Sequence, residues 1–306
     1  MFEHFLTIGG QVLTLFLLIT AGVICSKTHL LDEKGSKAMV NIVLYIATPC
    51  IIIKSCIREF DSDKLWGFLT VAAVALVNHL VLILVAHLVF RDPEERRRRV
   101  LRCALVFSNA GYMAIPLQQA ILGNTGVFYC AAYVIVFNIF MWTYGLVEMS
   151  GQRKLSAKQI VFNPGVIAVV VGLVLFIFSV PVPTIIQDAV GHLAALNTPL
   201  PMIIIGYYLA QTNLLAALKN KATWLCIALR LVAMPLLALG VLWLCGIRGD
   251  VLIASMICIS TPVATVATMF SSRYNRDTGL AVNLMSVSTL LSIATLPAII
   301  ALAFYL

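Results

Sequence analysis

Every second gap between the apolar stretches of this chain carries Lys and Arg, while the remaining gaps carry almost none. Lys27, Lys34 and Lys37 occupy the first connection; Arg91, Arg96, Arg97, Arg98, Arg99 and Arg102 the third. The fifth holds Arg153, Lys154 and Lys158, the seventh Lys219 and Lys221, and the ninth Arg273 and Arg276. The opposite side has only Arg58, Lys64 and Arg248. Basic loops stay cytoplasmic when a chain inserts into a bilayer, so the alternation predicts a polytopic protein with both termini outside. A spanning helix takes about 20 apolar residues, so 306 residues hold about ten spans and leave no room for a soluble catalytic domain. Composition agrees: 11% of residues are charged, against roughly 25% in soluble domains. The expected fold class is an all-α, multi-pass protein of the cell (inner or plasma) membrane, with ten transmembrane helices and the lipid bilayer as its main surroundings.

The net charge of +8 does not indicate nucleic acid, because the basic residues are scattered over five short loops and form no single face. The opening MFEHFLTIGG lacks a basic n-region and a small-residue cleavage site, so the first helix is expected to anchor uncleaved. The eight cysteines form no CxxC pair and have no His at metal-ligand spacing. They read as buried packing residues, with no metal or cofactor expected. The Arg run in RDPEERRRRV (91–100) is expected to meet anionic headgroups.

The spans fall at about 6–26, 38–57, 65–90, 103–123, 126–149, 164–180, 185–211, 222–246, 251–271 and 279–304. SGQRKLSAKQIVFNP (150–164) is the seam between two halves, 1–150 and 151–306. The halves echo one another. Thr48-Pro49 recurs as Thr198-Pro199, Pro116 has a counterpart in Pro262, and Asn124-Thr125-Gly126 is echoed by Asp277-Thr278-Gly279, at offsets of 150, 146 and 153 residues. Five spans per half make the second half enter from the opposite side, which is the inverted repeat of secondary transporters, with the substrate site where the halves meet.

Proline in the middle of spans 4 (FSNAGYMAIPLQQAILG) and 9 (MICISTPVATVATMF) marks that place. Interior proline removes a hydrogen bond and clashes with the preceding turn. In lipid, a broken helix survives only against protein or a polar cavity. Ser108, Asn109 and Gly111 accompany Pro116, and Ser260, Thr261 and Thr265 accompany Pro262. Paired broken helices present half-helix N-termini, whose free amides favour an anion. An ordinary proline kink is the plainer alternative.

The pattern Ser108-Asn109-x-Gly111-x-x-x-Ile115-Pro116-Leu117, with Ser260-Thr261-Pro262-Val263-Ala264-Thr265-Val266 and Ser271-Ser272-Arg273-Tyr274-Asn275, resembles the auxin efflux carrier family, bacterial members included, over essentially the whole chain. The resemblance implies a scaffold from spans 1, 2, 6 and 7 and a mobile transport bundle from spans 3–5 and 8–10. It implies helices 4 and 9 crossing at their broken midpoints beside a bound organic anion, a malonate- or malate-type carboxylate in bacterial members, and a homodimer. By position, Asn109, Pro116 and Pro262 match family site residues, and Asn197 lies where the seventh helix supplies a polar contact. Two departures stand out. The central loop has about a dozen residues where plant members often carry a long one, and span 3 has no carboxylate beyond Asp63 for proton coupling.

Among intramembrane ionisable groups, Arg230 lies about 12 Å into span 8. Such a charge costs roughly 2.5–3.5 kcal/mol on insertion scales unless partnered. It either flanks the anion path or reaches the cytoplasmic headgroups with its long stem. His79, beside Asn78 in span 3, is either a proton carrier or a neutral packing residue. Lys54 and Glu148 read as interfacial. The expected function is secondary transport of a small organic anion, with no ATP use because no GxxxxGK[ST] loop is present. Alternatives are a sodium-coupled symporter of the bile-acid type, an enzyme acting on lipid-linked substrates, and a membrane sensor or partner subunit.

Overall fold

The computed structural model describes residues 2–151, 162–212 and 221–306, with side chains from residue 9 onward. Arg153, Lys154, Lys158 and Lys219 lie outside the described residues. The described chain is all-helical. Seven helical stretches are long and apolar enough to cross a bilayer, and two shorter apolar helices accompany them.

Helix α1 is Phe2–Lys27. Asp32 caps α2 (Glu33–Cys56) by accepting from the Gly35 amide at 2.7 Å. Asp61 caps α3 (Ser62–Val89) in the same way, through the amides of Asp63 and Lys64. Then α4 (Glu95–Val106) ends at extended backbone, and α5 (110–122) and α6 (124–150) follow. The 41-residue apolar stretch Ala110–Ser150 is not one rod. Gly123 sits at φ +60°, and a Cβ on Gly126 would lie 2.9 Å from the carbonyl oxygen of Gln118. Eight residues of continuous helix would separate those positions by about 12 Å, so the chain doubles back at Gly123. The second half runs through α7 (Pro164–Ile177), α8 (Thr184–Ala195), α9 (Pro199–Ala210) and α10 (Lys221–Leu244) to α11 (Gly249–Ser260), α12 (Thr265–Arg273) and α13 (Thr278–Tyr305).

Proline shapes these helices in a way the sequence reading did not anticipate. Pro49, Pro116 and Pro235 each lie two residues past a five-residue π-turn, at Val43–Ala47, Ala110–Ala114 and Leu229–Ala233. Widening the turn moves the carbonyl that the ring would strike and whose donor is missing. Pro116 therefore does not break its helix. The interruption expected there falls at Phe107–Asn109, about two turns earlier in the chain, whereas Pro262 does lie in the second interruption, between α11 and α12.

The closest helix pair is α1 with α9. A Cβ on Gly22 would collide with the Ile203 carbonyl, and one on Gly206 with the Ile19 carbonyl. Small residues allow such backbone approach where lipid offers no hydrophobic drive. A compact cluster of Val40, Val43, Tyr112 and Ile204 ties α2 and α9 to the first turn of α5.

The Arg run packs inward as well as outward. Arg99 pairs with Glu95 at 2.7 Å, Arg102 with Glu148 at 3.3 Å, and Arg276 donates to the Met149 carbonyl at 2.7 Å. Arg99, Arg102 and Arg276 thus gather at the end of α6 around Glu148 and Met149.

Candidate functional site

Two interruptions meet inside the protein. At Phe107–Ser108 and Thr261–Ala264 the backbone is extended, and Ser108 pairs with Val263 as an antiparallel bridge. The Asn109 amide donates to the Pro262 carbonyl at 2.8 Å, and the Ala264 amide donates to the Phe107 carbonyl at 3.0 Å. Ser288 Oγ of α13 accepts from the Val263 amide at 3.1 Å. Each break thus satisfies the other's backbone, which is what an unwound segment at membrane depth requires.

The helix ends sort themselves by polarity around this crossing. On one side lie the C-terminal carbonyls of α4 and α11. Arg230, with no exposed surface, donates to Leu105 at 3.1 Å, Ile259 at 2.5 Å and Thr261 at 3.3 Å. It does not reach the headgroups, because these carbonyls hold it at the crossing. On the other side lie the N-terminal turns of α5 and α12, facing a cavity of about 670 Å³. First-turn amides have no intrahelical acceptor, and their end of the helix carries partial positive charge.

The cavity lining includes Ser108, Asn109, Gly111 and Thr265 from the two half-helices, Tyr45 and Thr48 from α2, and Asn163 and Gly165 at the start of α7. It holds Arg273 and no Asp or Glu. Four of its buried polar atoms have no hydrogen-bond partner: Ser108 Oγ, Asn109 Nδ2, Thr265 Oγ1 and Trp142 Nε1. Two of these can only donate, and the two hydroxyls can donate. The rest of the wall is largely apolar, with Phe137, Phe162 and Phe270 among its rings.

The other expected site residues stand apart from this lining. Ser260, Thr261 and Pro262 are absent from it, and Thr261 presents its carbonyl to Arg230. Pro116 lies deeper in α5, fully buried in the helix past the π-turn. Asn197 sits behind Thr48, accepting its hydroxyl at 2.8 Å. His79 is buried in an aromatic box. Its Nδ1 pairs with the Ala75 carbonyl at 2.7 Å, its ring stacks on Phe140 at 5.0 Å, and Nε2 has no partner. Phe137 lies 6.2 Å from His79 and stands between it and the cavity. Among the described residues no cluster of three or more His, Cys, Asp or Glu could hold a metal.

Sequence reasoning missed Tyr45, Asn138, Asn163 and Trp142. Asn138 was visible as a lone amide in an apolar run, and Asn163 as the cap before Pro164. It receives the Gly165 amide at 2.9 Å and donates to Asn138 Oδ1 at 3.4 Å.

The chain matches the family described as membrane transport protein over residues 7–160 and 152–300. It therefore belongs to that family, the auxin efflux carrier type of membrane transporter. Its relatives include an "uncharacterized transporter" of Methanothermobacter thermautotrophicus, 23% identical over 291 residues and covering 94% of this chain and 95% of the relative. A second, from Methanocaldococcus jannaschii, is 23% identical over 295 residues, covering 92% and 94%. This family member is thus a multi-pass membrane transporter. The bile-acid type of sodium symporter finds no support in these matches.

Proposed function

We propose that this transporter moves a small organic anion, a carboxylate, by alternating access without ATP. The observation that carries the reading is the cavity at the crossing: two half-helix N-termini and four unpartnered donors surround a space with no acidic side chain. Amides and hydroxyls there replace the water a carboxylate leaves, and the dipole ends add positive potential to that of Arg273 in the lining. The aromatic wall favours a monocarboxylate with an apolar body over a compact dicarboxylate such as malonate or malate, whose second charge would face Phe137 or Phe270.

The ten-span inverted repeat is part of the same reading. It is supported by the reversal at Gly123 and by helix starts at both NTG-like motifs, where Asp277 caps α13. It is also supported by contact between matching positions of the two halves, Thr48 with Asn197 and Asn109 with Pro262. Spans 1, 2, 6 and 7 form the scaffold and the rest the moving bundle, so the cavity lies where the two meet. Arg273 and Asn163 adjoin basic connections, which puts its mouth on the cytoplasmic side under the positive-inside rule. Counterflow in liposomes tests the proposal: vesicles preloaded with the unlabelled carboxylate should accumulate the labelled acid, and Asn109→Ala vesicles should not. Equal accumulation by protein-free vesicles, or by Asn109→Ala, would count against it.

A further inference from the structure

We propose that Arg230 is a positioning residue: its guanidinium fastens the C-terminal ends of α4 and α11 to each other and so sets the geometry of the opposite, cavity-facing side of the crossing. The charge consequence drawn below rests on the anion reading above; the positioning role does not.

Arg230 is fully buried and has no carboxylate within ion-pair distance among the described residues. All its partners are backbone carbonyls, and they belong to two different broken helices, Leu105 before the first interruption and Ile259 and Thr261 at the second. A planar fork with five donors can bridge two helix ends at fixed spacing, which a single ammonium cannot. The side chain is delivered by the π-turn Leu229–Ala233, widened ahead of Pro235. Widened turns of this kind recur where a side chain must be re-aimed for a task.

Charge arithmetic gives the arrangement its second meaning. Each helix end carries about half an elementary charge. Two C-termini therefore present about one negative charge, which one guanidinium neutralises. The two N-termini on the cavity side present about one positive charge that no side chain in the lining neutralises. Arg273 adds a cation to the same lining, so the cavity side is set up for a small anion. Without Arg230 the uncompensated C-termini, a bridge's width away, would cancel much of that positive potential.

The test uses purified full-length protein with Arg230→Lys and Arg230→Met, read by residue-resolved amide hydrogen exchange at Asn109 and Ala264, the two bridge donors. Exchange at both should rise at least about tenfold in Arg230→Met and by an intermediate factor in Arg230→Lys, with amides of α13 beyond Ser288 unchanged. A folded variant of either kind with parent-like exchange at both amides overturns the positioning role. If Arg230→Met does not fold, Arg230→Lys decides in the same way. The charge consequence is read from whichever carboxylate stabilises the parent against heat. Arg230→Lys should keep the preference for that acid over its carboxamide, and Arg230→Met should lose it about tenfold. A parent that responds to no carboxylate overturns the anion reading, while the exchange data still decide the role of Arg230.

Discussion

Interrupted helices are held at two joints in this protein, and the joints are made in opposite ways. At the crossing of 107–109 with 261–264, backbone pairs with backbone and Arg230 takes the leftover carbonyls. That frees Asn109 and Thr265 to face a cavity with unpartnered polar atoms. Where α2 passes the interruption between α8 and α9, the joint is a side-chain pair, Thr48 Oγ1 to Asn197 Oδ1 at 2.8 Å. There the Thr48 hydroxyl and Asn197 Oδ1 hold the helices to each other, and Asn197 Nδ2 is left buried without a partner. The lesson is that a ligand site in a membrane needs its backbone satisfied from elsewhere before side chains are available for anything else.

The sharpest way to break this comparison is Arg230→Met. Three buried carbonyls would lose their donor, at roughly 1–3 kcal/mol for each unsatisfied group, so the melting temperature should fall more than for any other single change discussed here. A small shift would mean that the crossing does not depend on that residue. Asn197→Ala should come next, costing on the order of 1–2 kcal/mol because the Thr48 hydroxyl is left unpartnered. Carboxylate affinity should change by less than about threefold in this variant, well short of the tenfold that 1.4 kcal/mol represents. A large loss of affinity with an unchanged melting temperature would instead put Asn197 in the binding site. Asn109→Ala should show the reverse pattern, with little change in stability and about a tenfold loss of carboxylate affinity, since its Nδ2 has no partner to lose.

The smallest effect concerns the rim formed by the Arg run. A hydrogen bond from Arg99, with Arg276 also near, holds the Glu95 carboxyl below the usual carboxylate range. A depressed folded-state pKa stabilises above the unfolded pKa and loses that contribution as pH falls through the folded value. The parent should therefore melt slightly higher than Glu95→Gln at neutral pH, and the difference should vanish on acidification. A difference that grows in acid would reverse the assignment.

The helical class and the multi-pass arrangement could be read from charge alternation, because insertion responds directly to Lys and Arg in short loops. The caps at Asp61 and Asp277 follow the usual N-cap preference for Asp, but the sequence reading did not pick them out. The two interruptions were only half legible. Pro262 marks its break, but Pro116 announces a widened turn, and nothing in a single sequence distinguishes a proline absorbed by a π-turn from one that ends a helix. The bridge of Ser108 with Val263 is a long-range pairing of backbone groups that every residue possesses, so it leaves no residue-type signal. Arg230 was visible as an anomaly, and its partners were not, because carbonyls have no letter in the sequence. Tyr45 and Trp142 joined the cavity only through packing between distant helices.

The central functional claim is that an anion occupies the cavity at the crossing. The most direct measurement is a thermal-shift series on the purified protein with matched pairs of carboxylic acids and their carboxamides, graded in apolar size. The account predicts that at least one carboxylate raises the melting temperature while its carboxamide does not, and that Asn109→Ala abolishes the difference. Stabilisation by a carboxamide as strong as by its acid, throughout the series, would contradict it.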